Sequence, residues 1–325
     1  MSKQAPGKAY REGITLMQLF DMFPDEATAT KWFEDVFWSE GRKCGKCKSE
    51  RTSPVKSGKP MPYWCSDCRS YFSVRTGTVL ECSRVSLRKW VLAIYLCLTS
   101  LKSISSMKLR RDIGVTQQTA WFMLHRIRQA WSGESEDTFS GPIEVDETYV
   151  GGKRSNMSKS KRAELEGRGA VGKTTVVGAK DRATKQVRAK VVECTDKPTL
   201  QGFVLGVAAK DAVVYTDDAT AYKGLPREHE AVKHSVGEYV RMMAHTNGVE
   251  SFWSMLKRAH KGTFHKISPK HLNRYVQEFA GKHNIRELDT LGQMQDTVLR
   301  LVGRNLLRVA LIADNGLSST ARQVQ

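Results

Sequence analysis

Residues 143–150 read IEVDETYV, a β-like run that ends in the paired glycines Gly151 and Gly152. Asp146 falls inside it, in a strand whose apolar residues should face the interior of a sheet. Residues 211–218, DAVVYTDD, form a second buried-strand pattern, with Asp217 at its end and Asp218 directly after. A carboxylate at the rim of a hydrophobic strand is costly unless it is paired or holds a metal. Residues 245–258, HTNGVESFWSMLKR, add a third acid. There Val249, Phe252, Trp253 and Leu256 repeat at helical spacing, and Glu250 stands among them.

The surroundings support one α/β unit. KTTVVGAKDR (173–182) and KQVRAKVVEC (185–194) read as a hairpin turning near Asp181–Thr184. KPTLQGFVLGVAA (197–209) reads as a helix opening beside a proline. HEAVKHSV (229–236) reads as a further strand, and SPKHLNRYVQEFAGKHN (268–284) as a helix with a Ser-Pro start. Two aspartates on strand ends and one glutamate on a covering helix form a set of hard oxygen donors. Such a set suits two Mg²⁺ or Mn²⁺ ions, which stand ~3.5–4 Å apart and clamp the attacking and leaving oxygens of a phosphoryl transfer. Lys257 lies seven residues after Glu250, ~10 Å along the same helix face, a reach that suits a neighbouring backbone phosphate.

Before residue 140 the character differs. TLMQLFDMFPDEATATKWFEDVFW (15–38) has helical spacing broken at Pro24 and restarted near Asp25. Cys44, Cys47, Cys65 and Cys68 form C-x2-C-x17-C-x2-C, the spacing of a closed four-thiolate zinc site with a structural role. The flanking YWCSDCRSYFSVRTGT (63–78) reads as the last strands of a zinc ribbon. Cys82, Cys97 and Cys194 stand alone in apolar surroundings and read as small buried residues.

LRKWVLAIYLCLTS (87–100) is apolar enough for a core helix. Residues 103–131 then give a helix-turn-helix pattern: one helix to about Asp112, the turn Gly114-Val115-Thr116, and a second helix from Gln117. Thr116, Gln117, Gln118, Thr119, His125, Arg126 and Arg128 are expected on its outer face, where a recognition helix meets DNA.

The charge agrees with that partner. The 325 residues carry 52 Lys and Arg against 34 Asp and Glu, a formal net charge of +18, which points to a polyanion. Residues 153–173 hold seven Lys or Arg and two Glu with almost no large apolar residue, and read as a mobile basic arm. Within it Lys153, Arg154, Lys159, Lys161 and Arg162 are candidate phosphate contacts, as is Arg258 beyond it. No apolar run is long enough to span a membrane and no signal peptide precedes the first helix, so the expected location is the cytoplasm. Seven cysteines, an odd number with no secretion signal, argue against a disulfide framework. VLRLVGRNLLRVALIA (298–313) reads as one amphipathic helix.

With those residues quoted, the chain resembles bacterial insertion-sequence transposases of the acidic-triad (DDE) class that carry an N-terminal zinc ribbon. The matching stretches are CGKC…CSDC, IEVDETYVGGK, GRGAVGKTTVVGA, VVYTDDATAY, HTNGVESFWSMLKR and GTFHKISPKHLNRYVQEFAGKHN. The resemblance implies an RNase H-like mixed sheet flanked by helices, with Asp146, Asp217 and Glu250 as the triad and Lys257 beside them. It implies two Mg²⁺ ions and strand cleavage and joining at the element ends. Asp218 can stand in for Asp217, and Asn247 for Glu250, because some members carry Asn at the third position. The expected division is a helical region 1–40, a zinc ribbon 41–82, a helical DNA-binding domain 83–138, the catalytic domain 139–290, and a C-terminal helix and tail 291–325. Double-stranded DNA, both element ends and target, is the expected partner, bound by a homo-oligomer. A zinc-ribbon regulator without enzymatic activity, or a nuclease of the same fold that hydrolyses without joining, are the competing functions.

Overall fold

The computed structural model describes residues 13–133, 137–152, 154–163, 171–217, 220–232 and 246–313. It divides into two compact units: the chain up to Ser132 together with the chain from Ile285, and residues 133–284.

The first unit is helical with a small sheet. Helices α1 (Leu16–Met22) and α2 (Glu26–Phe37) start from Thr15 and Asp25, whose side chains accept from Gln18 N and Thr28 N. Strands β1 (Thr52–Pro54), β2 (Tyr63–Cys65) and β3 (Ser70–Phe72) pair antiparallel in that order. Helix α3 (Leu87–Thr99) is buried along most of its length, with Trp90, Ala93 and Ile94 fully covered. Its first two amides, Leu87 N and Arg88 N, donate to the Glu26 carboxylate, which neutralises the helix N-terminus.

Helices α4 (Ser106–Ile113) and α5 (Gln117–Arg128) follow around the expected turn. Gly114 takes φ +63, the left-handed cap that a glycine adopts without strain. The outer-face expectation for α5 holds for Thr116 and Gln118, which are exposed. His125, Arg126 and Arg128 are instead buried, at 0, 7 and 1 % exposure. Their long or planar side chains lie along the apolar side of α5, where Met123, Leu124 and Ile127 pack into the core.

Two other expectations need correction. Cys97 is buried, but Cys82 and Cys194 are exposed, so only the first behaves as a core residue. Residues 298–313 are not one helix. The first two residues of that stretch, Val298 and Leu299, instead end a helix that begins earlier, α10 (Thr290–Leu299), which packs on α2 and α3 with Met294 and Val298 in their shared core. It stops there because Leu301 O and Gly303 N bond across to Val79 N and Gly77 O at 3.2 and 2.8 Å, leaving no helical ladder. A short α-helix at Arg308–Ala313 follows.

The second unit is the mixed α/β layer structure that the RNase H-like reading requires. Strand β4 (Ile143–Val150) is central. Strand β5 (Thr174–Asp181) pairs antiparallel with it, and β6 (Val187–Val192) antiparallel with β5. On the other side β7 (Val214–Asp217) and β8 (His229–Val232) run parallel to β4, giving the order β6-β5-β4-β7-β8. Between β4 and β5 the chain makes a 3₁₀ turn at Arg154–Asn156 and a short helix α6 at Lys159–Ala163, so part of the basic arm is helical.

Alternation along the strands decides the layers. Ile143 and Val145 face one side with Val177, Ala179 and Val214. There α7 (Lys197–Val207) buries Leu200, Phe203, Val204 and Val207 on them. Val150, Val176, Val187 and Ala189 face the other side, under α8 (Asn247–Ala259) and α9 (Pro269–Asn284). The spacing of Val249, Phe252, Trp253 and Leu256 turns one face of α8 onto the sheet, leaving Glu250, Ser251, Ser254, Lys257 and Arg258 exposed.

With α11 the label of Arg308–Ala313, no described helix is long and apolar enough to cross a membrane.

Candidate active site and metal centre

The last rung between β4 and β7 joins Glu144 to Tyr215. Asp146 and Asp217 each lie two residues beyond it, on neighbouring strands that run the same way. Their carboxylates therefore meet at the strand ends. A third carboxylate, Glu147, joins them: one oxygen from each of Asp146, Glu147 and Asp217 lies within 4.8 Å of the others.

Glu147 was not expected from the sequence, and neither were its partners. Alternation sends it toward the α7 side, where the buried Tyr222 hydroxyl donates to it. Tyr222 comes from the 3₁₀ turn Thr220–Tyr222, which follows the β7 strand that carries Asp217, so that turn fixes Glu147. On the other side the Trp253 indole N–H donates to Asp146 Oδ2 at 3.0 Å. Trp253 thus serves the core and the site together.

Gly178 makes room for that indole. It pairs with Asp146 in the β4–β5 ladder, and a Cβ on it would stand 2.6 Å from two ring carbons of Trp253. Gly178→Ala is expected to displace the indole, release its bond to Asp146, and cost about 1–3 kcal/mol by overpacking. Thermal unfolding together with the Trp253 fluorescence would measure it; an unchanged Tm and spectrum would count against the packing argument.

Helix α8 is seated by a second buried acid. Glu144, 2 % exposed, accepts from Arg182 Nε at 2.7 Å and from the backbone N–H of Val249 at 2.9 Å. On the same end Lys180 Nζ donates to Gly248 O at 3.2 Å. A carboxylate against a helix N-terminus matches the helix dipole, and here it fixes the turn that carries Glu250. Thr246 Oγ1 donates to Glu250 Oε1 at 3.0 Å. Glu250 stays outside the group of three but within electrostatic reach, since it contributes to the shift at Asp146.

Burial pushes Asp146 up to about 6, with Asp217 and then Glu250 adding repulsion. Burial likewise pushes Glu147 up to about 7, with Asp217 and Asp146 adding to it against the lowering Tyr222 bond. Acids with raised folded-state pKa values favour folding when protonated, and that contribution is lost as pH rises through the folded values. In metal-free protein, Asp146→Asn is therefore expected to raise Tm at pH 8 by on the order of 5 °C. The gain should shrink as pH falls through about 6 toward 4. Differential scanning calorimetry in chelator across that range is the measurement, and a gain that grows on acidification would reverse the sign argued here.

The donor set fits divalent metal: three hard carboxylates converge in a half-buried place where they repel one another. The cysteines fit a different one. Cys44, Cys47, Cys65 and Cys68 bring their sulfurs within 4.8 Å of each other, with Cys44–Cys68 at 3.7 Å and Cys47–Cys65 at 3.5 Å. Four sulfurs at 2.3 Å from one tetrahedral ion stand about 3.8 Å apart. The backbone N–H of Cys68 holds the Cys65 thiol down, to about 7, whereas burial pushes Cys68 up and burial with the neighbouring sulfurs pushes Cys47 up to about 12, so without an ion the cluster favours one thiolate among its thiols.

Of the other expected site residues, Gln118, Lys159, Arg162, Lys257 and Arg258 are exposed, Gln117 is half-buried, and Arg126 is enclosed. Arg154 lies in the 3₁₀ turn and Lys161 in α6, whereas Lys153 and Asp218 lie outside the described residues.

An acid cluster at the ends of parallel strands in a mixed sheet is a group that could hold a divalent metal. Residues 138–284 match the family model of the ISXO2-like transposase domain. A protein of the transposable element ISH50 from Halobacterium salinarum is 29 % identical over 304 residues, covering 89 % of this chain and 97 % of its own length. The two matches support an insertion-sequence transposase of the DDE class, and such a domain implies DNA as partner.

Proposed function

We propose that the chain binds the ends of an insertion sequence and carries out divalent-metal-dependent cleavage of DNA strands and their transfer to a target, with Asp146, Asp217 and Glu250 as the metal-holding acids. The observation that carries this reading is the meeting of Asp146 and Asp217 at adjacent strand ends, below a helix that presents Glu250 on its exposed side. Asp146 and Asp217 share one face of the sheet, and α8 packs on that face, so the third acid of the set comes from above it.

Bound Mg²⁺ or Mn²⁺ would supply charge stabilisation at the attacking and leaving oxygens. The chain's own residues prepare the site for it. Trp253 holds the Asp146 carboxylate in orientation, Tyr222 holds Glu147, and the Glu144–Arg182 pair fixes the start of α8. Glu147 is a fourth carboxylate, positioned on the far side of the pair. Lys257, two turns along α8 from Glu250, contacts the phosphate next to the scissile one. Double-stranded DNA is held by a homo-oligomer through Lys159, Arg162, Arg258 and the rest of the basic arm.

The test is Mg²⁺-dependent cleavage of a labelled end duplex, followed by strand transfer from pre-cleaved ends. Cleavage without transfer would make the chain a nuclease of this fold. Neither activity with an intact gel shift would make it a DNA-binding regulator.

A further inference from the structure

The helix-turn-helix region contains a cavity that the acid cluster does not explain. It has a volume of about 670 Å³ and lies between the segment Cys82–Ser86, the start of α3, and the first turns of α5. This is large enough for a nucleotide-sized group. Four cationic residues line it, Arg84, Lys89, Arg126 and Arg308, and no acid does. The α5 N-cap, Thr116, lines it as well, so the positive end of a twelve-residue helix opens there.

Arg126 is the second, independent sign. Its side chain is 93 % covered, since only 7 % is exposed, yet its Nε–H has no hydrogen-bond partner among the described residues. One terminal nitrogen donates to Glu81 O at 3.1 Å, and the guanidinium lies 4.4 Å over the Phe122 ring. These contacts fix the plane of the fork, and the residue lines the cavity while its Nε stays enclosed. A guanidinium fork that lines a cavity with three other cations matches a phosphate. Arg308 is held at the rim by Gln118 Oε1 at 3.1 Å, and Lys89 by Gly114 O at 3.1 Å.

We propose that this cavity is a phosphate site, in which Arg126 and Arg308 hold a phosphodiester of bound DNA beside the N-terminus of α5. Arg126 then acts from inside the helical pair on the backbone and not on a base edge, and Gln118 is left as the exposed residue of the first turn. The site is independent of the acid cluster, so loss of strand cleavage would leave it standing.

The experiment uses the full chain with two probes, inorganic phosphate and a mixed-sequence duplex. Arg126→Met and Arg308→Gln are each expected to weaken duplex binding about tenfold and to lower the slope of log affinity against log salt by about 1, equally for all sequences. Arg308 is exposed, so its substitution reads the site even if Arg126→Met disturbs packing. Cys82 lines the cavity and is exposed, so its alkylation, followed by peptide mass spectrometry, should slow several-fold when duplex is bound. If inorganic phosphate alone protects Cys82 and raises Tm in wild type but not in the two variants, while the salt slope is unchanged, the occupant is a free phosphate compound and the phosphate chemistry still stands. Unchanged slope, unchanged Cys82 protection and no phosphate effect on Tm would overturn the proposal.

Discussion

Asp146→Asn, Asp217→Asn and Glu250→Gln are each expected to reduce Mg²⁺-dependent cleavage of an end duplex by about 10³-fold or more, with gel-shift affinity for the same duplex nearly unchanged. The size follows from removing one charged metal donor, worth several kcal/mol of transition-state stabilisation at 1.36 kcal/mol per tenfold in rate. The selectivity follows from the charge distribution: binding rests on the 52 Lys and Arg, not on the acids. Without metal the substitutions should tighten binding slightly, because an uncompensated carboxylate repels phosphate. Lys257→Ala should weaken end binding and leave metal binding intact. Glu147→Gln is the discriminating variant. As a fourth carboxylate held by Tyr222 it should lose less activity than Glu250→Gln. If Glu250→Gln instead cleaves at the wild-type rate and Glu147→Gln is inactive, the third donor is Glu147 and the assignment of Glu250 fails.

The competition between Glu147 and Glu250 has a physical origin in how strands are read. Alternation places successive residues on opposite faces, and it correctly separates Val145 from Asp146. The same rule argues against Glu147 as a companion of Asp146. Alternation does hold for Glu147, which pairs with Val177 and points to the α7 side, but β4 and β7 are no longer bonded to each other past Glu144–Tyr215, and there one carboxylate oxygen of Glu147 comes within 4.8 Å of those of Asp146 and Asp217. Tyr222 was hidden for a related reason: its role depends on a 3₁₀ turn that brings it back under β4, and nothing in TAY signals that return. Trp253 was legible as a core residue because its spacing with Val249 and Leu256 is helical, but its indole N–H partner lies 107 residues away in sequence. Arg126 shows the opposite failure. Polarity alone put it outside, yet a long side chain buries readily when a carbonyl and an aromatic face receive its head. The strands, the hairpin, the capped helices and the cysteine pairs were legible because each depends on local chemistry. What was missed depends on contacts between residues distant in sequence, which only the packed fold creates.

The cysteine cluster gives the other large expected effect. Cys65→Ser should release one Zn²⁺ per chain and unfold residues near 40–80, while residues 133–284 stay folded. Val74, Val79 and Leu80 pack in the helical core, but the ribbon through Phe72 has little else to hold it. Its three strands are three residues each, and its buried core is Cys44, Cys65 and Phe72, with Trp38 and Tyr63 packed at the edge. A core of that size buries too little apolar surface to offset the entropy of ordering some forty residues. Zinc binding in such small domains contributes roughly 10–16 kcal/mol, and most of that is folding free energy. Serine keeps the shape of the side chain but does not supply a thiolate, so the loss reports the metal and not the volume. Tyr63 OH still donates to Glu34 Oε1 at 2.8 Å from the ribbon to α2, one contact against a missing centre. The second unit has its own sheet and two apolar layers, which the substitution does not touch. Metal analysis of the purified chain, with hydrogen exchange mapped by peptide in wild type and variant, separates the two regions. Rapid exchange confined to the ribbon is the expected pattern. A folded wild-type chain without zinc, or a Cys65→Ser ribbon that remains protected, would show that the four sulfurs are held together by the fold and not by a metal.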